Sequence, residues 1–248
     1  GGGYYGTRKN RRGDVFMGQD AKKQNALEKC KSYAEIYRNV TNPVVESIIE
    51  KYLEGVPIDG DKIKNLNGYL KDIMAWKTNQ IDHFCTTKEK GIAYKDKKNI
   101  SFQKLESIVY DYKANYKDED YKNLFKKLVK VKGIGNVYAI TIIFFLSHGE
   151  YPIYDKFADV GLYSMMTGDE EVPLRIMTDR GFDGAWSYYL EYRDALTSLF
   201  GDRWKGKDGR FVDKGLWAYG HTVKSITCKQ SDGNRFYHFY KKGDDHEK

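Results

Sequence analysis

Cysteine is scarce in this chain. Three among 248 residues, Cys30, Cys85 and Cys228, lie far apart and are odd in number. That pattern suggests neither a disulfide framework nor a zinc site. The three are expected to be reduced, mostly buried thiols of a cytoplasmic protein. Long apolar runs are missing too, since no stretch approaches the ~20 residues needed to span a bilayer. No apolar signal region follows the basic residues near the start, so membrane insertion and secretion are not expected. No internal repeat is apparent, and low complexity is confined to the first residues.

What the chain does have is core-forming material. With 40% hydrophobic and 15% aromatic residues it can build one large or two small globular units. Forty-two Lys and Arg face 35 Asp and Glu, a formal charge of +7 and a pI near 9.0. Such a balance suits a polyanionic partner, although many basic enzymes share it.

The most informative stretch is 131–155, VKGIGNVYAITIIFFLSHGEYPIYD. Residues 118–130 read as a charged helix, Gly133 and Gly135 break it in one tight turn, and 136–147 read as a strongly apolar second helix. Glycine in such a turn tolerates positive φ and lets a ligand, most naturally a phosphate, approach bare backbone amides. Ordinary turn geometry would also use it. Ser147-His148-Gly149 ends the apolar helix, Tyr151-Pro152-Ile153-Tyr154 follows, and Asp155 opens a further helix, KFADVGLYSMM.

Elsewhere the pattern is mostly helical. Residues 1–18 combine glycine with Arg8, Lys9, Arg11 and Arg12, which reads as a mobile tail or as a basic arm tracking phosphates, with Tyr4 and Tyr5 able to stack on bases. Ala26, Leu27, Cys30, Tyr33, Ala34 and Tyr37 recur at helical spacing over 20–38. Asn42-Pro43 caps and starts a helix to about Leu53. Asp59 or Asp61 begins another with Ile63, Leu66, Leu70, Ile73 and Met74 as its apolar stripe. It leads into Trp76-Lys77-Thr78-Asn79-Gln80, where Trp, Lys and Asn can stack on a base, contact phosphate and bond a base edge, or where Trp76 simply packs. Residues 88–99 form a lysine-rich loop, and Ser101 caps the next helix, whose buried side is Leu105, Ile108, Val109 and Tyr112. Residues 167–183 read as a long irregular connection. Helices follow over 186–200 and 211–219, with Leu216, Trp217 and Tyr219 read as packing. Asp232-Gly233, between β-prone flanks in 224–242, predicts a small C-terminal β-hairpin. The acidic groups Asp59/Asp61 and Asp118/Glu119/Asp120 are read as helix starts in preference to metal ligands.

Residues 120–165 resemble the helix-hairpin-helix DNA glycosylase superfamily. Its pattern is an apolar-Gly-apolar-Gly hairpin, an apolar helix, a Gly, and a short apolar run into an essential Asp. Val131, Gly133, Ile134, Gly135, Ala139, Gly149, Pro152, Ile153 and Asp155 stand where that pattern wants them. Three departures matter. Lys132 replaces the usual Pro and offers a phosphate contact. Val137 occupies the place of the lysine nucleophile of bifunctional members, which argues against strand-nicking chemistry. The closely spaced four-cysteine cluster that holds an iron-sulfur centre is absent, so no cofactor or metal is expected.

The resemblance implies a mainly α, two-lobed fold. A central lobe would span 42–150 with its helix-hairpin-helix at about 118–148; a second lobe would combine 20–41 with 151–248, and 1–19 would form the arm. It further implies a monomeric enzyme, in the cytoplasm or on a nucleoid, that flips a damaged, mispaired or modified base from double-stranded DNA. Asp155 would serve catalysis, and Lys132, Gly133, Ile134 and Gly135 would hold the DNA backbone. Trp76, Asn79, Tyr138 and Tyr154 are the candidates for the base pocket. A non-catalytic DNA-binding scaffold and a metal-dependent nuclease are the alternatives.

Overall fold

Apolar residues at helical spacing make most of the chain helical. The computed structural model describes residues 18–53, 66–78, 100–112, 118–174 and 181–227, and the protein is mainly α. In chain order the helices are α1 (Gln19–Val40), α2 (Pro43–Leu53), α3 (Leu66–Thr78), α4 (Phe102–Tyr110), α5 (Asp118–Leu128), α6 (Asn136–Leu146), α7 (Lys156–Thr167), α8 (Phe182–Phe200) and α9 (Arg210–Thr222). A 3-10 turn, Gly201–Trp204, joins the last two. None of these helices is long and apolar enough to cross a membrane. The basic arm to residue 17, Asp59, Asp61, Ile63, Asn79, Cys85, the lysine-rich loop, Cys228 and the Asp232-Gly233 turn lie outside the described residues.

Local chemistry sets several boundaries. The Asn42 side chain accepts the Val44 amide at 2.9 Å, and Pro43 supplies the first helical φ of α2. Ser101 stands at the cap position of α4, but its side chain makes no capping bond. Asp118, Glu119 and Asp120 fill the first turn of α5 while Lys126 and Lys127 fill its last, a distribution that suits the helix dipole. In the turn that follows, Gly133 takes φ 87°, a left-handed conformation that other residues adopt at a cost. α6 is apolar on every side and buried from Ala139 to Leu146, as a helix enclosed by neighbours must be. It packs against α3 and α5.

Within 167–183, residues 171–174 form a strand that the composition does not indicate. β1 (Glu171–Leu174) pairs in parallel with β2 (Lys224–Thr227), Val172 opposite Ser225. The expected irregular connection therefore contains a strand, and the first residues of the expected C-terminal hairpin pair with it. Burial of Val172 against Val160 and Tyr163 provides the driving force.

α9 is the most closely held helix. A Cβ on Gly161 of α7 would stand 2.4 Å from the Leu216 carbonyl oxygen, and one on Gly220 only 1.8 Å from that of Phe157. On the opposite face, a Cβ on Gly215 would stand 2.2 Å from the Cys30 carbonyl oxygen of α1. Backbone meets backbone on both sides, so α9 is fixed between α1 and α7.

Gly220→Ala should therefore force α7 and α9 apart, at a cost of about 1–3 kcal/mol or more. At this chain length each kcal/mol lowers the melting temperature by roughly 2–4 °C. Gly135→Ala, whose Cβ meets nothing within 4 Å, is the control and should change it less. Equal melting temperatures for the two variants would contradict the close packing of α9.

Candidate functional site

The residues before Asp155 are pinned by tyrosines. The Tyr151 hydroxyl donates to Asp118, which also accepts two bonds from Arg193 at 2.8 and 3.3 Å. Hydrogen bonding from Arg193 holds the Asp118 carboxyl below its usual range. Tyr189 donates to the Pro152 carbonyl at 2.6 Å. Tyr154 and Tyr188 both donate to Asp159, a carboxylate buried inside α7. The segment thus reaches α5, α7 and α8 through its own polar groups, and Asp155 emerges from it in one fixed place.

Asp155 has two tasks within its own carboxylate. Oδ1 accepts the Phe157 amide at 2.9 Å, capping α7. Oδ2 lies 3.5 Å from the Lys77 ammonium, which also donates to the Tyr154 carbonyl at 3.1 Å. The side chains are 25% and 10% exposed, respectively. Lys77, read from sequence as a phosphate contact, is instead turned inward onto this carboxylate.

Around Asp155 opens a cleft of about 90 Å³. Its walls come from four helices: Tyr37 on α1, Glu46 on α2, Trp76 and Lys77 on α3, and Asp213 and Trp217 on α9. A larger hollow of about 430 Å³ shares Tyr37, Thr41 and Glu46 with it. Trp76 is locked in position: its indole N–H donates to Glu46 Oε1 at 3.0 Å, Arg210 lies 5.2 Å from its ring centre, and Phe145 meets it edge-on. The Tyr37 hydroxyl donates to the same Glu46 oxygen.

Electrostatics in the cleft is dominated by burial. Asp213 pairs with Arg210 one turn earlier on α9. Burial raises its carboxyl above the ordinary value, Arg210 and Lys77 oppose that rise, and Asp155 and Glu46 add to it. His221 stacks on Phe157 with ring centres 3.6 Å apart and meets Trp217 edge-on. Burial lowers its pKa, Asp155 counters that, and Lys156 reinforces it.

The structure brings together some of the expected residues. Asp155 and Trp76 share the cleft. Lys132 and Gly135 are exposed at the turn before α6, and Gly135 occupies the cap position of that helix. Three others stand outside the cleft. Ile134 is buried, and its amide already donates to the Val131 carbonyl at 3.0 Å, so it serves the turn and is not left for a phosphate. Tyr154 is a core residue, its ring edge-on to Tyr188 and Tyr192, and it forms no wall of the cleft. Tyr138 is half-buried against the core and is not among the cleft residues. Trp217, expected only to pack, does border the cleft. Asp213 was missed, yet it stands four residues before Trp217 and three after Arg210, on the helix face that carries both.

Among the described residues no three His, Cys, Asp or Glu side chains converge as a metal site would require. The chain matches no protein-family model, no curated protein and no solved structure.

Asp155→Asn provides a test of this geometry that needs no substrate. The variant removes the anion that counters burial at His221, so the His221 pKa should fall further below 6.5. Imidazole C–H resonances followed by NMR against pH would report it. An unchanged His221 titration would separate Asp155 from the α9 side of the cleft.

Proposed function

We propose that the protein is a monofunctional DNA glycosylase of the helix-hairpin-helix kind. It would flip a damaged, mispaired or modified base from double-stranded DNA and hydrolyse the N-glycosidic bond, leaving an abasic site. The observation that carries this proposal is Asp155 in an aromatic-walled cleft, twenty positions after an exposed glycine at the head of α6. α5, the Gly133 turn and α6 make up the helix-hairpin-helix. In the two-lobed arrangement, α2 to α6 form the central lobe, while α1 joins α7, α8 and α9 in the second. The packing of α1 on α8 and α9 supports that division.

A base stacked in a duplex is out of reach of any side chain, so the nucleotide must be extruded at a cost of a few kcal/mol, least for a damaged or mispaired base. Lys132 and the Gly135 backbone would hold the phosphates, aided by a formal charge of +7. Breaking the bond puts positive charge on the sugar, which a nearby carboxylate stabilises. Asp155 fills that role. Val137 is half-buried against the core, and Lys77 is occupied by Asp155 and the Tyr154 carbonyl, so neither position supplies a lysine nucleophile. The reaction serves base-excision repair or defence against modified phage DNA.

Two variants test the two halves of this proposal. Gly135 has φ −91° and a Cβ there would meet nothing within 4 Å, so a side chain can be placed at this cap position at a small capping cost. Gly135→Val should weaken binding to every DNA sequence alike and lower the salt dependence by about 0.9 for each phosphate the protein no longer neutralises. Unchanged affinity and salt slope would remove the hairpin from DNA binding.

Asp155→Asn retains shape and capping ability, so it should fold and bind DNA as well as the wild type or better. If one electrostatic interaction is worth ~3–4 kcal/mol, single-turnover excision should slow about a hundred- to a thousandfold. A panel of duplexes, each with a different base, identifies the substrate. The wild-type product should be an intact abasic site, and borohydride should trap no covalent complex. A folded variant excising at the wild-type rate would reduce Asp155 to a helix cap and favour the scaffold alternative.

A further inference from the structure

Asp155 is poorly placed to accept a proton. Both of its oxygens are already engaged, one in capping α7 and the other toward the Lys77 ammonium. Hydrolysis nonetheless needs an acceptor, because the water that adds to the sugar must lose a proton. A second carboxylate, Asp213, reaches the same cleft from α9 with its side chain 22% exposed. An ion-pair partner for Arg210 has no need to open onto the cleft, and Asp213 does both.

On the basis of the glycosylase proposal, we propose that Asp213 is the general base that takes the proton of the attacking water, while Asp155 stabilises the developing sugar cation. The water oxygen bonds to C1′ and the C1′–N bond breaks, its electron pair leaving on the base. The water's proton moves to Asp213 and then to the departing base, which returns the carboxylate to its starting state.

The groups facing Asp213 come from every element packed around it. Arg210 shares its helix, Lys77 approaches from α3, Glu46 from α2, and Asp155 from the head of α7. Tyr37 and Cys30 on α1 both sense its charge. A carboxylate whose affinity for a proton is raised is a stronger base as long as it remains ionised at the working pH, and burial moves Asp213 in that direction. The base acts when unprotonated. Excision should therefore rise with pH through the Asp213 pKa, which lies above 3.8, and the variants should lose that acid limb.

Single-turnover excision by wild type, Asp213→Asn, Asp213→Ala and Asp155→Asn would be measured across pH, with and without sodium azide. Both Asp213 variants should slow by roughly 10²–10⁴-fold, the usual range for a missing general base, and lose the acid limb. Azide is a nucleophile with no proton to lose, so it should restore Asp213→Ala, giving a C1′ azide, and leave Asp155→Asn slow. Asparagine retains the shape of Asp213 and can still bond Arg210, so it carries the pH measurement if the alanine variant unfolds. An active wild type with Asp213 variants at its own rate, or slow variants that keep the acid limb and ignore azide, overturns this proposal alone. A wild type that excises no base from any duplex overturns the glycosylase proposal and this one with it.

Discussion

The site depends on how closely α9 can approach its neighbours. Three glycines, Gly161, Gly215 and Gly220, allow its backbone to touch that of α7 on one side and α1 on the other, with no side chain between. Ordinary helix pairs keep their axes 8–10 Å apart because side chains intervene, and a helix held at that distance would carry Asp213 and Trp217 away from Asp155. This close approach also couples distant parts of the sequence. α1 begins the described chain and α9 nearly ends it, yet Tyr37 and Trp217, one from each, meet edge-on with ring centres 5.3 Å apart at the rim of the cleft.

Against this rigid wall stands a segment fixed by tyrosine hydroxyls. Tyr151, Tyr154, Tyr188 and Tyr189 are buried, and a buried hydroxyl without a partner costs ~1–3 kcal/mol. Each finds an acceptor: Asp118 on α5, Asp159 on α7 or the Pro152 carbonyl. Packing and polar satisfaction thus point to one placement of the chain. Asp155 inherits that precision, since the next amide it meets is the one it caps.

The sequence made some of this legible. Gly133 announces a turn because its left-handed backbone is cheap for glycine alone, and the acids and lysines at the two ends of α5 mark its polarity. Asn42-Pro43 and Asp155 mark helix starts because a side-chain oxygen next to an apolar periodic run has few other uses. The burial of Tyr154 was hidden for the opposite reason. A tyrosine beside an aspartate looks like site chemistry, and only the three-dimensional structure reveals Asp159 one turn further on, holding its hydroxyl inside the core. Lys77, Asp213 and Trp217 belong to the cleft although they stand 78, 58 and 62 positions from Asp155 in sequence, and no local pattern encodes such a distance. The β1–β2 pair was invisible on similar grounds, being four residues long with its partner strand some fifty positions away.

The Lys77–Asp155 pair contributes little to stability, and that bears on its role. At 3.5 Å and an effective dielectric near 20 the gross attraction is about 4–5 kcal/mol, while withdrawing both ions from water costs several kcal/mol each. That cost matches or exceeds the attraction, so the fold gains little from the pair over an apolar filling of the same volume. What the pair does provide is charge control. Under the glycosylase proposal, a bare carboxylate would repel the entering polyanion, whereas Lys77 offsets the charge of Asp155 toward the backbone and would still leave that charge beside the sugar. The Tyr154 carbonyl holds the Lys77 ammonium beside Asp155, so under the same proposal the field at the sugar would be set before the substrate arrives. That is the condition under which electrostatic stabilisation of a transition state is least costly, because no dipole needs to reorganise as charge develops.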